Sequence, residues 1–268
     1  MIKRILGKLG GLYATSALRS SISDDGTYPE FCRRAAAADK LFRQFRRRSE
    51  YTHILEHVSA DLGRAYLSVL SPEAKTPNSL KEASLNDLVG NPLTIEATEG
   101  IRISPTTLRY MKVAEDLRKH VGDLNNASVC EIGVGYGGLC RIIDSRFEIG
   151  SYTLVDLRPV LQLADRYLGH FAFRSQTIFR TMNELNLERF DIVISNYAFT
   201  ELARPIQETY WRKVLANARA GYISYNEVSP AEFNCLSKDE IRARTGATIY
   251  PENPLTHPGN CILVWKTT

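Results

Sequence analysis

The 268-residue chain has no C-x-x-C pair, no membrane-length apolar run, no internal repeat and no strong excess of either charge. Its five cysteines, Cys32, Cys130, Cys140, Cys235 and Cys261, are scattered, which excludes a disulfide-stapled scaffold and fits a reducing compartment. Without a long apolar run, no membrane span is expected. With 44% hydrophobic and 24% charged residues, long disorder is not expected, and the length suffices for a sizeable core. A net charge of +4 does not by itself imply a nucleic-acid partner.

The charge is unevenly spread. Residues 1–48 hold eleven Lys/Arg against four Asp/Glu. The densest run, RQFRRR (Arg43–Arg48), reads first as a solvated helix face, and second as a patch for a glycan, a sugar nucleotide or RNA. The first twenty residues are basic and lack acids, like a weak targeting segment, but Gly7, Gly10 and Gly11 interrupt it. The expectation is a cytoplasmic protein with a loosely held N-terminus.

The pattern changes near residue 100. Before it, Tyr51, Ile54, Leu55, Val58, Leu62, Ala65 and Val69 recur at helical spacing and predict one buried stripe. Ser104 and Pro105 read as the N-cap and first position of a further helix. After residue 127, short β-branched runs (SVCEIG, SYTLVDL, QTIFR, FDIVISN, AGYISYN) alternate with helical stretches. That rhythm predicts an α/β domain with a mostly parallel, doubly wound, Rossmann-like sheet. The end, ATIYPENPLTHPGNCILVWKTT, has two strand-like runs and no helix, so an antiparallel last strand is expected. The division is a helical region, 1–100, serving as substrate cap or oligomerisation surface, and a cofactor-binding domain, 101–268.

VCEIGVGYGGLC, Val129–Cys140, is a glycine loop after a strand and before a helix. Gly133, Gly135 and Gly138 fit a dinucleotide loop; Gly133, Gly135 and Gly137 fit a loop of S-adenosylmethionine (SAM) enzymes. Asp156, ending the second strand, can accept hydrogen bonds from both ribose hydroxyls of either cofactor. Glu131 favours SAM, because a carboxylate repels a pyrophosphate and attracts a sulfonium. Ligands in such sheets sit beyond the carboxyl ends of the strands. Asn183 is therefore placed to meet the adenine edge, and Asn196 and Tyr197 to line the wall near the methyl group.

The segments EIGVGYGG, YTLVDLRPVLQLADRYL, FDIVISNYAFTELARPIQ and GYISYNEVS together resemble the sugar O-methyltransferase family described as NanM-like, a class I SAM-dependent group. YTHILEHV, GNP and SPTTLRY are similar to its helical N-terminal part, and ENPLTHPGNCILVW to its C-terminal end. The resemblance runs from about Phe31 onward. It implies SAM-dependent methylation of a hydroxyl on a sugar, sugar nucleotide or glycan, in pathways such as polysaccharide biosynthesis.

Such a transfer needs a base for the hydroxyl proton. Glu201 is the first candidate and His257 the second, with Asn226 and Glu227 placed to bind acceptor hydroxyls. Some sugar methyltransferases use Mg2+, but only Glu201 and Glu227 would come from strand ends to hold it. HILEH, His53–His57, matches the H-x-x-E-H zinc motif. The favoured reading instead puts His53 and His57 on one polar helix face lining the sugar cleft. An NAD-dependent oxidoreductase, an RNA methyltransferase and a non-catalytic SAM-binding subunit remain as alternatives, and a homodimer through the helical region is a further expectation.

Overall fold

The structure, a computed structural model, describes residues 21–24 and 26–267; the first twenty residues, with their targeting-like pattern, lie outside that range. Before residue 104 the described chain is mainly helical: α1 Thr27–Ala37, α2 Asp39–Phe42, α3 Ser49–Thr52, α4 Ala60–Val69 and α5 Pro77–Ser84. A small antiparallel pair, β1 Ile95–Thr98 and β2 Ile101–Ile103, follows.

The single stripe expected over 51–69 is split. α3 ends at Thr52, and α4 begins only after Ser59, whose hydroxyl accepts the Leu62 amide at 3.1 Å as an N-cap. Between them Glu56 turns inward to the Arg46 guanidinium at 2.5 Å. The buried face of α4 is Gly63 and Tyr66. A Cβ at Gly63 would lie 2.9 Å from the Pro105 ring, so glycine lets this helix approach the next.

Arg46 also corrects the solvated reading of RQFRRR. Its side chain is fully buried, pairing Glu56 at 2.5 Å and Asp87 at 2.9 Å and donating to Asn86 O at 3.0 Å and Ser104 Oγ at 2.9 Å. Removing one partner of such a pair costs about 3–5 kcal/mol, because the remaining charge stays buried. Arg47 donates to the Asn91 carbonyl at 2.9 Å.

Helix α6, Pro105–His120, starts as the sequence predicts, with Ser104 Oγ accepting the Thr107 amide at 3.1 Å. Five parallel strands follow: β3 Ser128–Ile132, β4 Ser151–Val155, β5 Gln176–Arg180, β6 Ile192–Asn196 and β7 Ala220–Tyr225. Helices α7 Gly138–Arg146, α8 Arg158–Leu168, α9 Arg204–Lys213 and α10 Lys238–Thr245 connect and cover them. The hairpin β8 Thr248–Pro251 and β9 Cys261–Lys266 completes a seven-stranded sheet of order β5-β4-β3-β6-β7-β9-β8. β9 runs antiparallel to both neighbours. This is the mostly parallel doubly wound sheet with an antiparallel last strand, the class I methyltransferase type of Rossmann-like fold, that the sequence predicts.

Side chains alternate between two cores, as strand geometry requires. Val129, Tyr152, Leu154, Ile192 and Ile194 join a layer shared with α6–α8 and the N-terminal helices. Cys130, Ile132, Val155, Val193 and Ile223 face the opposite core, which includes Tyr210 of α9 and Ile241 of α10. Among the described residues no helix is long and apolar enough to cross a membrane.

Candidate functional site

The glycine loop leaves β3 at the centre of the sheet, where the strand order reverses. Gly133, Gly135 and Gly137 have φ of 79°, 54° and 85°, a region that disfavours any residue with a Cβ. A Cβ at Gly133 would also run into the Ala198 methyl, and one at Gly135 would lie 2.5 Å from Leu55. Asp156 lies immediately beyond β4. Its Oδ2 accepts the Val134 amide at 2.8 Å and the Gly135 amide at 3.3 Å, while Oδ1 accepts Leu157 N at 2.7 Å. The second acid and the loop are thus joined directly. Desolvation raises the Asp156 carboxyl to about 6, although these three amides oppose the rise.

Glu131 lies inside the layer, 2% exposed, and accepts the Tyr152 hydroxyl at 2.8 Å. Burial pushes its carboxyl up to about 8, against that hydrogen bond. Without a cation beside it, this group is mostly protonated at neutral pH.

A second cluster forms after β6. Tyr197 has φ 69° and opens the 3-10 turn Ala198–Glu201. Ser195 fixes this turn to the loop strand: its hydroxyl donates to Ile132 O at 3.1 Å and accepts the Phe199 amide at 2.9 Å. Glu201 accepts from Asn226 Nδ2 at 2.7 Å, and Asn226 Oδ1 accepts the Thr200 hydroxyl at 2.7 Å. Burial raises the Glu201 carboxyl, while the Asn226 bond and the Arg109 charge pull it down. Tyr197 donates its hydroxyl to Glu252, and the Arg109 guanidinium lies 5.5 Å from its ring centre.

The other expected site residues are more dispersed. Asn196 Oδ1 accepts the Ser224 hydroxyl at 3.0 Å. Asn183 is exposed on the turn Met182–Glu184. His257 is exposed, its Nδ1 accepting Gly259 N at 3.3 Å within its own turn. Glu227 pairs with Lys238 at 2.9 Å. His53 and His57 do not share a helix face, because α3 ends before His53. His53 Nδ1 lies 3.0 Å from Ser49 O. His57 has its pKa lowered by desolvation and by Arg109. With Glu56 committed to Arg46, HILEH loses the geometry of a zinc site. Among the described residues no three His, Cys, Asp or Glu groups converge on a metal position.

Arg109, Ser195, Thr200 and Glu252 went unrecognised from sequence. Arg109 sits among apolar neighbours in SPTTLRYM, and nothing in that pattern marks it.

No protein-family model matches the chain, and no curated protein matches it by sequence, so the sugar methyltransferase resemblance rests on the quoted segments. Among solved structures the chain is similar to the SAM-bound magnesium protoporphyrin IX methyltransferase of Synechocystis, at 17% identity and TM-score 0.47, over 60% of this chain and 78% of that one. It is also similar to a protein assigned as a sarcosine dimethylglycine methyltransferase from Galdieria sulphuraria, at 17% identity and TM-score 0.43, over 59% of this chain and 68% of that one. A protein assigned as an RNA methyltransferase from Pyrococcus horikoshii matches at 16% identity and TM-score 0.44, over 61% and 85%. At these identities no residue's role is transferred.

Proposed function

We propose that the chain is a SAM-dependent methyltransferase and, within that class, an O-methyltransferase for a saccharide hydroxyl. One observation carries the cofactor reading: a left-handed glycine loop, hydrogen-bonded to Asp156, at the reversal point of a sheet whose β9 runs antiparallel between β7 and β8. The dinucleotide fold ends instead in a sixth parallel strand. The saccharide part is supported by the sequence resemblance.

The residues suit an adenosine donor. Each Asp156 oxygen is held by loop or strand-end amides, which orients the carboxylate toward ribose hydroxyls. Asn183 would meet the adenine edge, and Asn196 and Tyr197 the wall beside the methyl group. Leu55, from the turn between α3 and α4, and Ala198, from the turn after β6, lie against the loop glycines and would border the donor. Bound SAM supplies a methyl group already activated by positive sulfur. Glu201, in the turn after β6, would take the proton from the acceptor hydroxyl that receives the methyl group. Asn226 holds that carboxylate in place. His257 is the alternative base, and His53, His57 and Glu227 are the further candidates for contacts with the acceptor.

Calorimetric titration with S-adenosylhomocysteine and with NAD tests the cofactor. Binding of NAD alone would overturn the reading. A SAM-consumption screen over simple glycosides, sugar nucleotides, glycans and RNA, with and without Mg2+, then tests the acceptor; turnover on RNA but on no saccharide would replace the sugar assignment.

A further inference from the structure

Two arginines are enclosed beside the candidate site, and the fold treats them differently. Arg46 has two carboxylates, a carbonyl and a hydroxyl around its guanidinium. Arg109, only 6% exposed, has no hydrogen bond and no ion pair among the described residues, and its Nε is buried without a partner. Its neighbours include the faces of two aromatic rings, with centres 5.7 Å away in Tyr110 and 5.5 Å away in Tyr197, while Tyr66 and the Glu56 carboxylate, itself paired with Arg46, act on its charge without hydrogen-bonding it. Glu201 and His57 lie within reach of its charge.

A guanidinium remains charged at any physiological pH and offers five N–H donors and no acceptor. Ring faces stabilise the charge but satisfy none of those donors in their own plane. An enclosed cation left this way is costly unless something with a negative charge completes its shell. Arg46 shows that the same fold supplies carboxylates where a buried arginine is structural. At Arg109 it supplies aromatic walls and leaves the planar fork open, beside the carboxyl group read as the base. A fork of parallel N–H groups matches a carboxylate or phosphate.

We propose that Arg109 is the receptor for an oxyanion, a carboxylate or phosphate carried by a ligand of this site. The inference rests on the transferase reading for the identity of its two sources: the amino-acid carboxylate of the donor, or an acidic group on the acceptor, such as a uronate or sugar phosphate.

The test compares the full-length wild type with R109M, which keeps the length of the side chain and removes the charge. For the donor, binding of S-adenosylhomocysteine is compared with that of methylthioadenosine, which lacks the carboxylate. For the acceptor, glucuronate and glucose 6-phosphate are compared with glucose in the presence of saturating S-adenosylhomocysteine. One oxyanion preference is expected in the wild type and should fall about 10- to 100-fold in R109M. Loss in the first comparison assigns the donor carboxylate, and loss in the second an acidic acceptor. The ligand-free Tm of R109M should equal or exceed that of the wild type, because an unpaired buried charge has been removed. If R109M does not fold, R109K keeps the charge without the fork, and the same preferences are read on it. The inference is overturned if the wild type shows no oxyanion preference, or if the folded variant keeps the preference intact. If the wild type binds neither nucleoside, the transferase reading fails separately, and the acceptor comparison, run without nucleoside, still decides the role of Arg109.

Discussion

The glycine-loop strand carries a titratable group whose effect on stability can be worked out before any ligand is considered. Glu131 is enclosed between β3 and the α6–α8 layer and has one hydrogen bond, from Tyr152. Its carboxyl moves from an ordinary 4.5 to about 8 on folding, chiefly through desolvation. The native state therefore binds more protons than the unfolded state between those values, and stability falls as pH rises. The stabilising contribution is fully present below about 4.5 and is lost as pH passes through about 8. Between pH 5 and 8 the loss amounts to roughly 3 kcal/mol, from about 1.4 kcal/mol per pKa unit. Glu131→Gln keeps the shape and an acceptor for Tyr152 but cannot ionise. Urea unfolding of both proteins at pH 5, 6, 7 and 8 should give similar stabilities at pH 5 and a growing advantage for the variant toward pH 8. A difference between the two that stays constant with pH would mean that burial does not hold this carboxyl neutral, and the reasoning would fail.

Glu201→Gln should lower methyl transfer by about 10²- to 10⁴-fold, the range for a lost general base, with S-adenosylhomocysteine affinity unchanged. In the wild type the rate should rise with pH through a step above the ordinary carboxylate range, because burial raises Glu201 and the base must be ionised. Asp156→Asn should weaken binding of the same nucleoside by about tenfold or more in calorimetry. Wild-type affinity should fall as pH drops below about 6, where Asp156 protonates, and the variant should lack that step. Gly133→Ala should destabilise the protein by on the order of 2 kcal/mol or more in thermal unfolding, since it combines a left-handed φ with collision against Ala198. Adding Ala198→Gly should recover the collision part only. A fragment comprising residues 101–268 should show no cooperative unfolding and no nucleoside affinity by calorimetry.

The sheet was legible because its strands are short apolar runs bounded by glycines and acids, and the hairpin because no helical pattern separates its two strands. The loop and Asp156 were legible for the same reason: strand ends and glycines are marked in sequence. The helical region was less so. Periodicity alone joined Tyr51 to Val69, since a stripe does not record that Ser59 caps a new helix or that Glu56 turns toward Arg46. Arg46 looked solvated because three of its close neighbours are also basic; its carboxylate partners are ten and forty-one positions away. Arg109 left no trace at all, because an unpaired buried cation is a property of what surrounds it. His53 and His57 read as a face only while the helix was assumed unbroken.

The N-terminal helices are built into the loop's support. Arg46 lies 4.5 Å over the ring of Tyr136, the residue between Gly135 and Gly137. Phe45 and Tyr51 pack against that same ring. Asn86 donates to Gly138 O at 3.1 Å and its own carbonyl accepts the Tyr167 hydroxyl at 3.0 Å, tying the region to α7 and α8 together. Leu55, from the turn that breaks the expected helix, rests on Gly135. One stretch of chain therefore both braces the loop from beneath, through Arg46 and Asn86, and covers it, through Leu55. Arg46 is buried and charge-paired and Asn86 is buried and hydrogen-bonded to Gly138 O, so moving them is costly. The Leu55 side chain makes apolar contact from the turn between α3 and α4, tied locally by its amide on the Tyr51 carbonyl at 3.0 Å, and displacement there costs less. On the proposed reading the loop would keep its shape while its cover moves, and an entering nucleoside would meet Asp156 without the amides that orient it being rebuilt.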